Sequence, residues 1–155
     1  MPALEDLYRE IILDHYRSPR NRGELPVPPA RHAEGHNPLC GDEITVYLDV
    51  DRRDGVDTVT DVKVSGQGCS ISQSSASMMS QAVKGKSVPE VRALVRRFKG
   101  MMSIETDDGD ADDTQEVALG DLEALQGVVK FPVRIKCATL AWNTLVEALD
   151  ADPDS

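Results

Sequence analysis

Helical and strand-like patterns occupy separate stretches of this chain, and that segregation predicts an α+β fold. Two-residue alternation runs from Glu43 to Val64, broken by an Asp54-Gly55 turn, and reads as an antiparallel hairpin. One amphipathic helical pattern precedes it and further helical patterns follow. With 155 residues, the length is that of one domain able to bury a real core, so residues 1–155 are read as a single unit.

The first helix is marked by Leu4, Leu7, Tyr8, Ile11 and His15 at helical spacing, and Ser18-Pro19 ends it. From Arg20 to Pro38 proline, arginine and glycine dominate, which predicts an irregular connector with room for one short strand. In the hairpin, Ile44, Val46, Leu48 and Val50 share one face of the first strand, and Val62 and Val64 keep the period in the second.

After Gly66-Gln67-Gly68-Cys69 comes a serine-dense run whose composition resembles a linker. Its periodicity is helical. Ile71, Ser75, Met78, Met79 and Ala82 fall on one face, the small serines permit close approach to neighbours, and Gly85 ends the element. Pro89 to Met101 gives another helix, with Val91, Leu94, Val95 and Phe98 inward and Arg92, Arg96, Arg97 and Lys99 mainly outward. The stretch of about 103–118 is nearly all acidic or small and reads as a solvated surface loop; it lacks the pattern of a calcium loop. Pro132 to Leu149 is a long helix with Val133, Cys137, Leu140, Ala141, Leu145 and Ala148 in one stripe.

Charge and hydropathy narrow the function classes. A formal net charge of −10 argues against a nucleic-acid partner, which requires a basic excess. No apolar run is long enough for a membrane span, and the N-terminus is acidic where a signal peptide is basic, so a cytoplasmic protein is expected. An odd cysteine count, 3, in such a chain points to metal or reactive thiols rather than a disulfide framework.

Those cysteines carry the chemistry. In Asn37-Pro38-Leu39-Cys40-Gly41-Asp42 a thiol and a carboxylate flank a glycine, whose backbone freedom lets both side chains aim at one ion. Cys69 and Cys137 would complete the tetrahedron that zinc prefers. Cys69 lies at a predicted helix start, where amide donors and the helix dipole favour a thiolate. Cys137 on its apolar stripe is by itself a core residue as readily as a ligand, but Arg134, Lys130 and Lys136 surround it with cations. His15 is expected to pack at the end of the first helix, and His32 and His36 to face solvent. His36, four residues before Cys40, is a rival fourth zinc ligand.

LYREIILDHYRSPRNRG from Leu7, NPLCGDE from Asn37, GQGCSISQSSASMMSQAVKGKS from Gly66 and LGDLEALQGVVKFPVRIKCATLAW from Leu119 closely resemble the SufU branch of the NifU/IscU-like family. The resemblance covers nearly the whole chain. It implies a small antiparallel sheet of about three strands covered by helices, and a zinc site made by Cys40, Asp42, Cys69 and Cys137 rather than His36. It further implies a sulfurtransferase in which Cys40 accepts persulfide sulfur from a SufS-like cysteine desulfurase and passes it toward an iron-sulfur scaffold complex. A histidine of the desulfurase would replace Cys40 on the ion during docking, and Arg134 would support the site by pairing with Asp42 or touching the partner. The family's alternative role is an iron-sulfur cluster scaffold using the same ligands, and a purely structural zinc module is a third reading. Classical scaffolds carry a histidine just before the last cysteine, where this chain has Lys136. They also carry a Leu-Pro-Pro-Val-Lys segment, which corresponds here to Phe131-Pro132-Val133-Arg134-Ile135, and they lack the acidic insertion. These departures favour sulfur transfer.

Overall fold

In a computed structural model, which describes residues 3–27, 30–37, 41–102, 124–125, 128 and 132–150, the chain opens with helix α1, Ala3–Arg17. Its end comes where expected. Asp14 bonds the guanidinium of Arg20 at 2.7 Å just beyond it, and this contact holds the exposed Asp14 carboxyl below the ordinary aspartate range. His15 is buried, with Nδ1 2.8 Å from the hydroxyl of Ser77. The side chains of Leu4, Leu7 and Tyr8 lie outside the described set.

The sheet is a three-stranded antiparallel meander of order β1-β2-β3, with β1 at Arg31–Asn37, β2 at Asp42–Arg53 and β3 at Val56–Gln67. Strand β2 turns Asp42, Ile44, Val46 and Leu48 inward, as its alternation predicts. Strand β1 is the short strand for which the connector left room. His32 and His36 therefore sit on an edge strand: His36 is exposed, while His32 is half-buried and stacks on Tyr47 with ring centroids 6.0 Å apart. Small residues on the inner face of β1 have a steric cause, because a Cβ on Gly35 would run into Thr144 and Leu140.

One irregularity breaks the hairpin's period. Asp49 pairs with Asp61 and Val50 with Val59, leaving Thr60 as an extra residue on β3. Consequently Val59 and Val62 are both buried although three residues apart, and Val50 is only half-buried.

Helix α2, Ser70–Val83, departs from the single buried face expected of it. It is buried nearly all round, including Ser72, Ser74, Ser75, Ser77 and Ser80, whereas Ile71 and Ala82 are only half-buried. The cause is position, since α2 packs against α1, β3 and the last helix, α4, Pro132–Asp150. Buried hydroxyls need partners. Ser75 donates to the Ala138 carbonyl at 2.6 Å and Ser80 to the Ser77 carbonyl at 2.7 Å. Between α2 and α4 in sequence lies α3, Val88–Met101, whose Val91, Leu94, Val95 and Phe98 are buried as expected. Phe98 stacks on Trp142 of α4 at 4.4 Å, closing the core. The acidic stretch of 103–118 lies outside the described residues.

Ser87 and Glu90 form a reciprocal cap at the start of α3, and the hydrogen bonds from the Ser87 backbone and side chain hold the Glu90 carboxyl below the ordinary glutamate range. Because the folded-state value is depressed, the carboxylate half of this cap stabilises fully above the unfolded glutamate pKa and is lost as pH falls through the folded value, while the Glu90 amide keeps its bond to the Ser87 hydroxyl. Ser87→Ala should cost about 1 kcal/mol at neutral pH in a denaturant titration, and less in acid.

Candidate metal centre

The β1–β2 hairpin closes on the paired residues Asn37 and Asp42, so its connection spans residues 38–41. Gly41 has φ +70, a left-handed value that glycine reaches without strain. Pro38, Leu39 and Cys40 lie outside the described residues.

Asp42 begins β2, pointing inward with only 1% exposure. A carboxylate in the interior requires donors or a cation. One donor is the backbone N–H of Cys69, 2.8 Å from Asp42 Oδ1. Cys69 is the N-cap of α2, with extended backbone and no side-chain cap bond, so its sulfur is available for another purpose. That sulfur lies 3.9 Å from Asp42 Oδ2 and 3.8 Å from the hydroxyl of Ser72. Cys137 comes from the second turn of α4, fully buried, and Asn37 Nδ2 points at its sulfur from 3.7 Å.

Strand, helix N-terminus and helix thus converge on one point. The ligand atoms of Asp42, Cys69 and Cys137 all lie within 4.8 Å of one another. Zinc ligated by sulfur at about 2.3 Å sets tetrahedral neighbours about 3.8 Å apart, so small side-chain adjustments bring these atoms to bonding distance. The donor chemistry fits as well: two cysteine sulfurs and a carboxylate form a mixed set that suits a borderline-soft, tetrahedral ion.

Gly68 is part of the fit. A Cβ there would meet Asp42 Oδ1 and the Ser72 hydroxyl, displacing both from the Cys69 turn.

Among the residues singled out from sequence, Asp42, Cys69 and Cys137 are therefore brought together, while His36 is exposed on β1. Arg134 and Lys136 are exposed on α4, Arg134 one turn before Cys137; Lys130 and Phe131 lie outside the described residues, as does the side chain of Val133. Two polar neighbours were missed. Ser72, three residues after Cys69 and so on the same side of the helix start, had a readable spacing signal. Asn37 had none, since only the packing of α4 on β1 places it beside Cys137.

Comparison with known proteins places this geometry in a family. The model of the NifU-like N terminal domain matches residues 7–138. The chain belongs to that family. Among NifU-like relatives, the zinc-dependent sulfurtransferase SufU of Bacillus subtilis is 46% identical over 142 residues, covering 92% of this chain and 88% of that protein. The iron-sulfur cluster assembly scaffold protein IscU of Streptococcus pyogenes is 41% identical over 149 residues, covering 96% and 86%. Among solved structures, the N-terminal part of a nitrogen-fixing NifU-like protein from Brucella abortus superposes with TM-score 0.73 at 26% identity, covering 95% of this chain and 94% of that one. The α+β fold read from the sequence is thus the NifU-like fold.

Gly68→Ala should leave the helices formed yet weaken metal retention about 10- to 100-fold, the usual cost of disturbing groups that orient ligands. Zinc content after dialysis against a graded chelator series, with far-ultraviolet circular dichroism alongside, would measure it.

Proposed function

We propose that this chain is a zinc-dependent sulfur carrier, in which Cys40 takes the sulfane sulfur of a persulfide held by a cysteine desulfurase and passes it toward iron-sulfur cluster assembly. The observation that carries the reading is the convergence of Asp42, Cys69 and Cys137 at the base of the hairpin connection containing Cys40. The Bacillus subtilis zinc-dependent sulfurtransferase, alike over most of both chains, supports it.

In this reading Cys40, Asp42, Cys69 and Cys137 are the zinc ligands. A free thiol is only a few per cent thiolate at neutral pH, and the thiolate is the species that attacks. Bound there, zinc supplies deprotonated sulfur without redox chemistry of its own. Cys40 Sγ attacks the terminal sulfur of the donor persulfide. A new S–S bond forms on Cys40, the bond from that sulfur to the donor cysteine breaks, and the donor cysteine leaves as thiolate. The sulfur moves without change in oxidation level, so no outside oxidant is required.

Division of labour follows from where each ligand is rooted. Cys69 starts a buried helix, Cys137 lies inside another and Asp42 is tied to the Cys69 amide, whereas Cys40 belongs to a short connection next to a left-handed glycine. The anchored set keeps its place while Cys40 turns to the partner. Arg134, exposed one turn before Cys137, is in this reading a supporting residue that pairs with Asp42 or touches the docking partner. A role that needs reduced thiols supports the reading of a cytoplasmic protein.

A second reading, a scaffold that builds a cluster on the same residues, is favoured by the likeness to the Streptococcus pyogenes IscU scaffold. Lys136, where the classical scaffold pattern has histidine, weighs against it.

After incubation with desulfurase and cysteine, peptide mass spectrometry should find the mass of one added sulfur on Cys40. Cys40→Ala should fold, take up no sulfur and fail to stimulate the desulfurase; a variant that stimulates as well as wild type would overturn the assignment. Protein purified without oxygen should contain zinc, whereas stoichiometric cluster and no zinc would favour the scaffold.

A further inference from the structure

A hydroxyl outside the ligand set joins the two helices that carry Cys69 and Cys137. Ser75, fully buried on α2, donates to the carbonyl of Ala138 at 2.6 Å and accepts from the indole N–H of Trp142 at 3.1 Å. Ala138 directly follows Cys137. Trp142 lies four residues beyond Ala138, so the carbonyl and the indole are stacked one turn apart on one side of α4. A single hydroxyl reaches both only at one axial position and one rotation of that helix. Sliding α4 by one residue, about 1.5 Å and 100°, would break both bonds and carry the Cys137 sulfur away from Cys69.

The need for such a device follows from the composition of α2. Its buried surface is largely serine and alanine, and small side chains form low ridges that leave helix register weakly specified. A buried polar contact specifies register where apolar packing does not. At the opposite side of the site, Asn37 holds the Cys137 sulfur itself from 3.7 Å, and Asn37 is the strand partner of Asp42.

We propose that Ser75 and Asn37 are positioning residues that set the distance between the Cys69 and Cys137 thiols before metal arrives, Ser75 by fixing the register of α4 on α2 and Asn37 by fixing the Cys137 side chain. The inference rests on the metal-site reading and adds to it two residues outside the ligand set, of which Asn37 touches a ligand sulfur and Ser75 acts only through the helix.

Titration of metal-free protein with cobalt chloride tests it, because thiolate-to-cobalt charge transfer and the ligand-field bands report ligand geometry directly. Ser75→Ala and Asn37→Ala should each bind cobalt about 10- to 100-fold more weakly in chelator competition, with altered band positions or intensities. Val59→Ala, a core truncation at the far end of β3, supplies a control for mere loss of stability. It should retain the wild-type affinity and spectrum. If Ser75→Ala does not fold, Asn37→Ala in the same titration decides. Wild-type affinity and spectrum in the folded variants, or an equal loss in Val59→Ala, would overturn the inference alone. Wild-type protein that shows no thiolate-to-cobalt band would overturn the metal-site reading, and this inference with it.

Discussion

The bond from the Cys69 amide to the Asp42 carboxylate is the joint on which the site turns. It ties the first residue of β2 to the N-cap of α2 and gives a carboxylate buried between sheet and helix one of the donors it requires. The penalty for an unpaired buried charge is several kcal/mol, comparable with a large part of the stability of a small domain. The same carboxylate presents its other oxygen to the Cys69 sulfur. A structural joint and a candidate metal ligand are therefore one residue. Gly68 is small because that joint leaves no room for a Cβ.

Around this joint the fold distributes the remaining ligands unequally. Cys137 enters from the second turn of a core helix, gripped through Ser75 at the next residue's carbonyl and through Asn37 at its sulfur. Cys69 is held by its own amide and by Ser72. A closed structural zinc site would root every ligand comparably. The proposed fourth ligand, Cys40, belongs instead to a hairpin connection, and in that reading the site is suited to opening, which is what a sulfur carrier requires and what a purely structural module does not.

Much of this was legible in the sequence, for physical reasons that also explain the gaps. The helices and the β2–β3 hairpin announce themselves because their buried faces are apolar and periodic. Strand β1 does not, since α4 packs so closely over it that its inward positions are Ala33 and Gly35 rather than large apolar residues. The bulge at Thr60 is likewise silent, because either register of valines looks plausible until pairing is known. Burial of α2 on nearly every side was hidden by serines, which satisfy their hydroxyls within the protein and so pass for polar surface. The convergence of Asp42, Cys69 and Cys137 was readable in part because a glycine turn and a helix start leave local signatures; the contacts of Asn37 and Ser75 span at least 60 residues of chain and leave none.

The central claim is that one zinc ion is held by Cys40, Asp42, Cys69 and Cys137. X-ray absorption at the zinc edge, on wild-type protein and on Cys40→Ser, tests it most directly. The account predicts a sulfur from each cysteine plus one oxygen in the wild type, with one sulfur replaced by a light atom in the variant. An unchanged sulfur shell in Cys40→Ser, or a wild-type shell built from nitrogen and oxygen, would contradict it.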